Sequence, residues 1–255
     1  MGASNANGSK CSQSLLAGYN LLNQQTSNGA RRAIFGQFNS VPDKAQLIVG
    51  NGASTARSNS FYVESNGNAT LAGSLKSSGA DYAEYFEWAD GNLFNEDRIG
   101  KFITLVNGNK IKIASNGDEI LGVISAIAAV TGDSYEDRWQ GRYVTDVFGR
   151  IIYEDVEVEY TIDVDENGQP IVEKVMEKHP KLNPNYNPEE VYIPRSERPE
   201  WACVGLLGKV VLIDDGTSVP GGKCACAADG TATMALEGYH VLRRLDDSHI
   251  LILLK

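Results

Sequence analysis

Two carboxylates, Asp81 and Glu84, stand three residues apart in the run Ser77-Ser78-Gly79-Ala80-Asp81-Tyr82-Ala83-Glu84-Tyr85-Phe86-Glu87-Trp88. Paired carboxylates divide the work of acid and base when their surroundings push their pKa values apart. One, ionised, takes a proton from water, while the other, still protonated, gives one to a leaving amine or polarises a carbonyl. The small, flexible Ser-Ser-Gly-Ala lead keeps a peptide bond within reach of the pair, and such tethering supplies a large part of a hydrolytic barrier. On this reading the chain is its own substrate. In a helical turn positions i and i+3 share a face, so the pair would share a site. In a strand they point to opposite faces and a bend is needed. Asp-x-x-Glu is equally a helix capping box, with Asp81 as N-cap and Glu84 reaching back. Ser77 or Ser78 as nucleophile is weaker chemistry, because no His lies near and no Lys follows within a turn.

The elements that must position this run differ on its two sides. The 255 residues allow one or two domains and a substantial core. The formal charge is −10 and unevenly spread. Residues 1–76 carry six Lys/Arg against two acids, and residues 77–255 carry the other 17 against 31. Two modules with separate surfaces are expected. Neither has the dense basic patch that phosphate neutralisation requires, so no nucleic-acid partner is expected. Four cysteines (Cys11, Cys203, Cys224, Cys226) and three scattered histidines (His179, His240, His249) give neither a disulfide framework nor a transition-metal spacing, and no cofactor is implied. The N-terminal Met1-Gly2-Ala3-Ser4-Asn5 has no signal-peptide pattern and no apolar run reaches membrane-spanning length. A soluble protein made in the cytoplasm, with no membrane partner, is the expectation.

Residues 1–76 show short apolar clusters (Leu15-Leu16, Ala33-Ile34-Phe35, Leu47-Ile48-Val49, Phe61-Tyr62-Val63, Ala69-Thr70-Leu71) separated by turn signals such as Asn51-Gly52 and Asn66-Gly67. This is an all-β pattern. Its large apolar residues are sparse for a lone small core, which favours a stem wound around identical neighbours over an ordinary β-domain. Downstream, Phe102 to Val106 and Lys110 to Ala114 flank Asn107-Gly108 as a hairpin. Ile120 to Val130 reads as one or two buried strands broken at Gly122. The alternating Val156 to Ile162, then Asn167-Gly168 and Ile171 to Val175, predict a long hairpin with one apolar and one acidic face. Five of the eight prolines lie in Pro180 to Pro199, which predicts an extended connection. Val204 to Leu207, Val210 to Ile213, Tyr239 to Arg243 and Ile250 to Leu254 read as further strands. Asp133-Ser134-Tyr135-Glu136-Asp137 is a candidate oxygen-ligand cluster for a cation, though a solvated loop is the ordinary reading. Arg138, Arg142 and Arg150 could hold an anion bidentately or simply pair with nearby acids.

The ordered segments from Ser77 onward resemble a known family. Ser77 to Asn92, Leu121-Gly122-Val123-Ile124-Ser125-Ala126, Trp139 to Tyr143, Asp146 to Glu154, Leu182 to Tyr186, Tyr192 to Trp201, Val204-Gly205-Leu206-Leu207-Gly208-Lys209 and Val241 to Leu245 are similar to the peptidase G2-type intramolecular-chaperone autoprocessing domain of phage tailspike and neck-appendage proteins. The resemblance covers about residues 77–255. It implies a mainly β fold: an intertwined, trimeric β-helix-like stem over 1–80, then a β-rich chaperone domain over 81–255. It implies a homotrimer whose C-terminal domain has the upstream stem as intramolecular client, sets its register and cuts itself off, leaving the stem in the virion tail. Carried over, the family's catalytic Asp and Glu fall at Asp81 and Glu84, and the scissile bond at Ala80–Asp81, with Ser78–Gly79 or Gly79–Ala80 as fallback. Ala80 stands where the Ser/Lys class of such domains has a Ser before the Asp. Two other classes remain open on the residues alone: an uncleaved receptor-binding tip and a polysaccharide hydrolase.

Overall fold

The structure is a computed structural model that describes residues 5–7, 14–24, 32–42, 44–106, 108–134, 141–164, 166 and 168–255. The chain is mainly β and divides into two compact units, residues 1–76 and 77–255.

In the first unit the short apolar clusters become β2 (Leu15–Tyr19), β4 (Ala33–Gln37), β5 (Ala45–Asn51), β6 (Asn59–Glu64) and β7 (Ala69–Leu71), with the two-residue pieces β1 (Ala6–Asn7) and β3 (Leu22–Asn23) paired parallel. β2, β4 and β5 lie parallel and side by side, while β6 and β7 follow antiparallel. Register aligns like with like. Leu16, Ile34 and Ile48 stack in the interior, and Gly18, Gly36 and Gly50 stack two residues on. A Cβ on Gly36, whose φ is +89°, would run into the Gly50 carbonyl, so the glycine ladder is a condition of this close approach. Leu16, Leu21, Ile34, Ala45 and Ile48 thus form a small interior within one chain, which the sparse composition did not lead us to expect. Asn66-Gly67 is a tight turn, as expected, with the Glu64 N–H donating to the Asn68 carbonyl at 2.8 Å. Asn51-Gly52 instead opens a longer loop, bridged at Ala53 and Ala56. Asn28-Gly29 lies outside the described residues.

The second unit is built on one ten-stranded sheet. Its strands are β8 (Asp81–Glu87), β9 (Phe102–Val106), β10 (Lys110–Ile113), β11 (Gly122–Ile124), β12 (Val130–Gly132), then β15 (Trp201–Ile213), β16 (Lys223–Cys226), β17 (Ala232–Ala235), β18 (Tyr239–Arg244) and β19 (His249–Leu254). The hairpin flanking Asn107-Gly108 forms with Val106 opposite Lys110; Asn107 itself is outside the described residues. The sheet packs on two apolar clusters. One holds Phe102, Val123, Leu212, Ile250 and Ile252, the other Trp88, Ile103, Ile111, Ile124 and Val204.

Two strand expectations need correction. Val204–Leu207 and Val210–Ile213 are one 13-residue strand, β15, because the left-handed Gly208 (φ +112°) stays paired with Asp81 instead of turning the chain, just past a register shift between Gly205 and Leu207. Gly122 does not break a strand but starts β11, and its missing side chain lets the backbone approach the Gly205 carbonyl. β13 (Tyr153–Val164) and β14 (Pro170–Pro180) form the long hairpin as a separate two-stranded ribbon. Val156, Val158 and Val175 share one face with Glu173 and Glu177, and Asp155, Glu157, Glu159, Lys174, Met176 and Lys178 the other, where Lys174 pairs with both glutamates; neither face is purely apolar or acidic as expected. Ile162 sits at a register shift between Thr161 and Asp163. The proline-rich stretch is irregular except for one 3-10 turn, Arg195–Glu197.

Candidate active site around Asp81

Asp81 opens a strand, not a helix. β8 runs antiparallel to β15, with Asp81 opposite Gly208, Ala83 opposite Gly205 and Glu87 opposite Trp201, and parallel to β12 on its other edge. The capping-box reading is therefore set aside. The sheet partners decide this, since β15 lies far along the chain and the local run carries both periodicities.

The bond expected to break is held on several sides by main chain. The Ala80 carbonyl accepts from the Lys209 N–H at 3.2 Å, and the Asp81 carbonyl from the Ala129 N–H at 2.8 Å. Gly79 passes so close to the Ala128–Ala129 peptide that no Cβ fits there. Ala80 itself is exposed. Ser77 and Ser78 lie outside any strand, and the Ser77 hydroxyl accepts from the Gly79 N–H at 3.2 Å.

The Asp81 side chain is buried, at 4% exposure. The Ser125 hydroxyl and the residue's own backbone N–H lie on its side and favour the ionised form. Oδ2 has no hydrogen-bond partner among the described residues. Oδ2 lies over Gly205, where a Cβ would stand 2.8 Å from it. Burial holds the Asp81 carboxyl above the ordinary carboxylate range, opposed in part by the Ser125 and backbone bonds. Cys203, hydrogen-bonded to Thr131, flanks the same face, and its thiol is pushed up by burial and then by the Asp81 charge. Ser125 and Cys203 also line a cleft of about 870 Å³ with Tyr85, Trp88 and Arg98.

Glu84 is not on this face. It stands opposite Val204, which belongs to one apolar cluster, whereas Gly205 pairs with Val123, which belongs to the other. The half-buried Glu84 carboxylate accepts from the Tyr82 hydroxyl, and this bond raises the Tyr82 pKa. Three residues of strand separate it from Asp81 by about 10 Å. The shared site expected for one helical face is not formed within one chain, because the alternation of strand side chains sends the two carboxylates apart.

The remaining candidates resolve structurally. Asp133 pairs with the buried Arg195 at 2.5 Å, and Tyr135, Glu136, Asp137 and Arg138 lie outside the described residues. Arg150 pairs with Asp146 at 2.7 Å, and Arg142 lies over the Tyr143 and Tyr186 rings. Cys224 and Cys226 are buried in the larger cluster, their thiols pushed up by burial to about 12 and about 11. Among the described residues no group of three His, Cys, Asp or Glu could hold a metal ion, and no helix is long and apolar enough to cross a membrane.

Sequence reasoning missed Tyr82, Ser125, Gly205, Gly208 and Lys209 as neighbours of the site. Their segments, Leu121–Ala126 and Val204–Lys209, are among those that carried the family resemblance, and they prove to be the strands flanking β8.

A sequence profile of the family described as Peptidase_G2, IMC autoproteolytic cleavage domain, matches residues 34–248. The chain belongs to this family. The match begins well before Ser77, so the likeness reaches further into the first unit than the motifs indicated. Its relatives are phage proteins. The pre-neck appendage protein of Bacillus phage B103 is 41% identical over 60% of this chain and 16% of its own length. A Bacillus subtilis (strain 168) protein described as "Putative phage-related protein YobO" is 34% identical over 87% of this chain and 25% of its own. Among solved structures, the pre-mature bacteriophage phi29 gene product 12 superposes with a TM-score of 0.67 at 27% identity, over 95% of this chain and 30% of that one. The C-terminal fragment of the same gene product gives 0.52 at 34% identity, over 69% of this chain and all of the fragment. The chain thus spans no more than a quarter of these curated relatives.

Proposed function

We propose that this chain is a self-cleaving intramolecular chaperone. Residues 81–255 gather three chains, set the register of the β-helix-like stem formed by residues 1–80, and leave by hydrolysis of the Ala80–Asp81 bond. The product stem would stand in the tail of a phage particle, as the pre-neck appendage relatives suggest.

The observation that carries this reading is at Asp81. One residue supplies both the nitrogen of the scissile bond and, a few bonds away, a buried carboxyl whose protonated form burial favours. That is the placement a general acid for the leaving amine requires. The Lys209 N–H on the Ala80 carbonyl adds a donor where negative charge develops. In the proposed step Glu84 takes a proton from water, the resulting hydroxide adds to the Ala80 carbonyl carbon, and Asp81 protonates its own nitrogen as the C–N bond breaks. Since Glu84 faces away from this bond within one chain, the base reaches it from a neighbouring copy in the trimer.

The mass of the purified protein followed over time tests the proposal. Two fragments are expected, the larger starting at Asp81, and Asp81→Asn or Glu84→Gln should each leave the chain whole. A wild-type chain that stays intact for days favours the uncleaved receptor-binding tip instead.

A further inference from the structure

We propose that residue 79, two positions before the cut, occupies a specificity subsite that admits only glycine and is walled by the Ala128–Ala129 peptide. This rests on the reading of Ala80–Asp81 as the scissile bond and names what is recognised upstream of it.

The segment that leads into β8 is gripped through its main chain. The Ala80 carbonyl accepts from the Lys209 N–H of β15, and the Asp81 carbonyl from the Ala129 N–H just before β12, at 3.2 and 2.8 Å. An extended peptide added to a sheet is bound in this way. Main-chain bonds hold it, and the space left for each side chain decides what is accepted.

At residue 79 that space is closed. A Cβ there would stand 2.4 Å from the Ala128 carbonyl carbon, 2.4 Å from the Ala129 nitrogen and 2.6 Å from the Ala128 carbonyl oxygen. All three are backbone atoms, so no change of rotamer relieves the clash. Gly79 is not among the glycines with positive φ, so the close approach, not the backbone conformation, is what requires glycine here. The residue is half-buried between the exposed Ser78 and Ala80, which confines the restriction to this one position. The wall is also part of the grip. The nitrogen that a Cβ at 79 would strike is the one whose N–H holds the Asp81 carbonyl. A side chain at 79 must therefore push aside either the substrate segment or the donor that fixes it, and both shift the scissile peptide.

The mass of the full chain followed over time reads the effect. Gly79→Ala should slow the appearance of the Asp81 fragment about tenfold or more, since displacing a reacting group by about 1 Å costs rates of that order. Gly79→Val should be slower still. Two controls should cut at the wild-type rate. Gly73→Ala makes the same change where a Cβ would meet nothing within 4 Å, and Ser78→Thr adds a methyl at the exposed neighbour. Gly79→Ala cutting as fast as wild type overturns the proposal. So does an equal slowing in Gly73→Ala, which would make chain flexibility the cause. Stability is read on the uncut Asp81→Asn background. Adding Gly79→Ala there should leave the melting transition in place, because residue 79 precedes β8 and can lift away with the sheet still paired. Loss of that transition would mean that glycine serves folding rather than recognition, and the proposal fails. The underlying reading fails separately. If wild-type fragments begin elsewhere than at Asp81, the cleavage assignment falls and the subsite with it. If they begin at Asp81 and Gly79→Ala is cut normally, only the subsite is lost.

Discussion

Asp81 carries a cost that its neighbours only partly relieve. A carboxyl whose folded pKa lies above its unfolded value of about 3.9 stabilises the fold fully below that value, and this contribution is lost as pH rises through the folded pKa. Burial raises the Asp81 pKa, so its share of stability should decline as pH climbs above about 4. Two uncut variants isolate the effect. Glu84→Gln keeps the titrating carboxyl, whereas Asp81→Asn replaces it with a neutral group of similar shape. The melting temperature of Glu84→Gln, relative to that of Asp81→Asn, should therefore fall as pH rises over this range. Parallel curves would mean that Asp81 does not titrate above the ordinary range. This kind of strain, a charge-bearing group held where its charge is disfavoured, is typical of groups that transfer protons.

At the scale of elements, β15 organises the site. Its first half pairs with β8 on one edge and β11 on the other, and its second half pairs with β19. Gly208 is the joint, with φ +112° and no room for a Cβ beside the Ala80 carbonyl and the Asp81 Cα. Gly208→Ala should cost about 1–3 kcal/mol from backbone strain and, by pushing on the Ala80 carbonyl, should also slow cleavage. Gly67→Ala is the matched control. It too has a positive φ (+90°) but nothing within 4 Å, so it should lose stability in the first unit while cleavage proceeds. Denaturation midpoints and cleavage time courses separate the two. Much of this architecture was legible beforehand. The alternation over Val156 to Ile162 and the Gly-bearing turns at Asn66-Gly67 and Asn107-Gly108 are local signals, and they located the hairpins. Asp81 and Glu84 were found for the same reason, since residue type and spacing are local. Their separation onto opposite faces was not legible. It depends on β8 being a strand, and that is decided by β15 and β12, whose pairing with Asp81–Glu87 no short window contains. The parallel β2–β4–β5 stack escaped for a like reason, because parallel register joins segments that are distant in sequence.

At the scale of the whole molecule, the separation of the two carboxylates becomes a statement about assembly. On the face that carries Glu84, three exposed apolar side chains line up across three paired strands: Val130, Tyr82 and Leu207. A neighbouring copy seated against that row would cover apolar surface and meet Glu84 at the same time. Cutting would then require a formed oligomer, and the chaperone would be released only from a stem whose chains are already together. Under the proposed function, a stem cut after assembly would have lost the domain that brings its chain ends together, so its persistence would become kinetic. This arrangement has a distinctive genetic signature. Asp81→Asn keeps Glu84 but lacks the acid on its own bond; Glu84→Gln keeps the acid but lacks the base. Each alone should stay whole. Co-expressed with different affinity tags and purified as mixed oligomers, the Glu84→Gln chains should be cut at Ala80–Asp81, because a neighbour now supplies the base, while the Asp81→Asn chains stay intact. The tags identify which chain yields fragments on a denaturing gel. If mixed oligomers form and neither chain is cut, each chain must use its own Glu84, and β8 must rearrange before the bond breaks. If the two tagged chains never co-purify, the trimer itself is wrong and the base has no neighbour to come from.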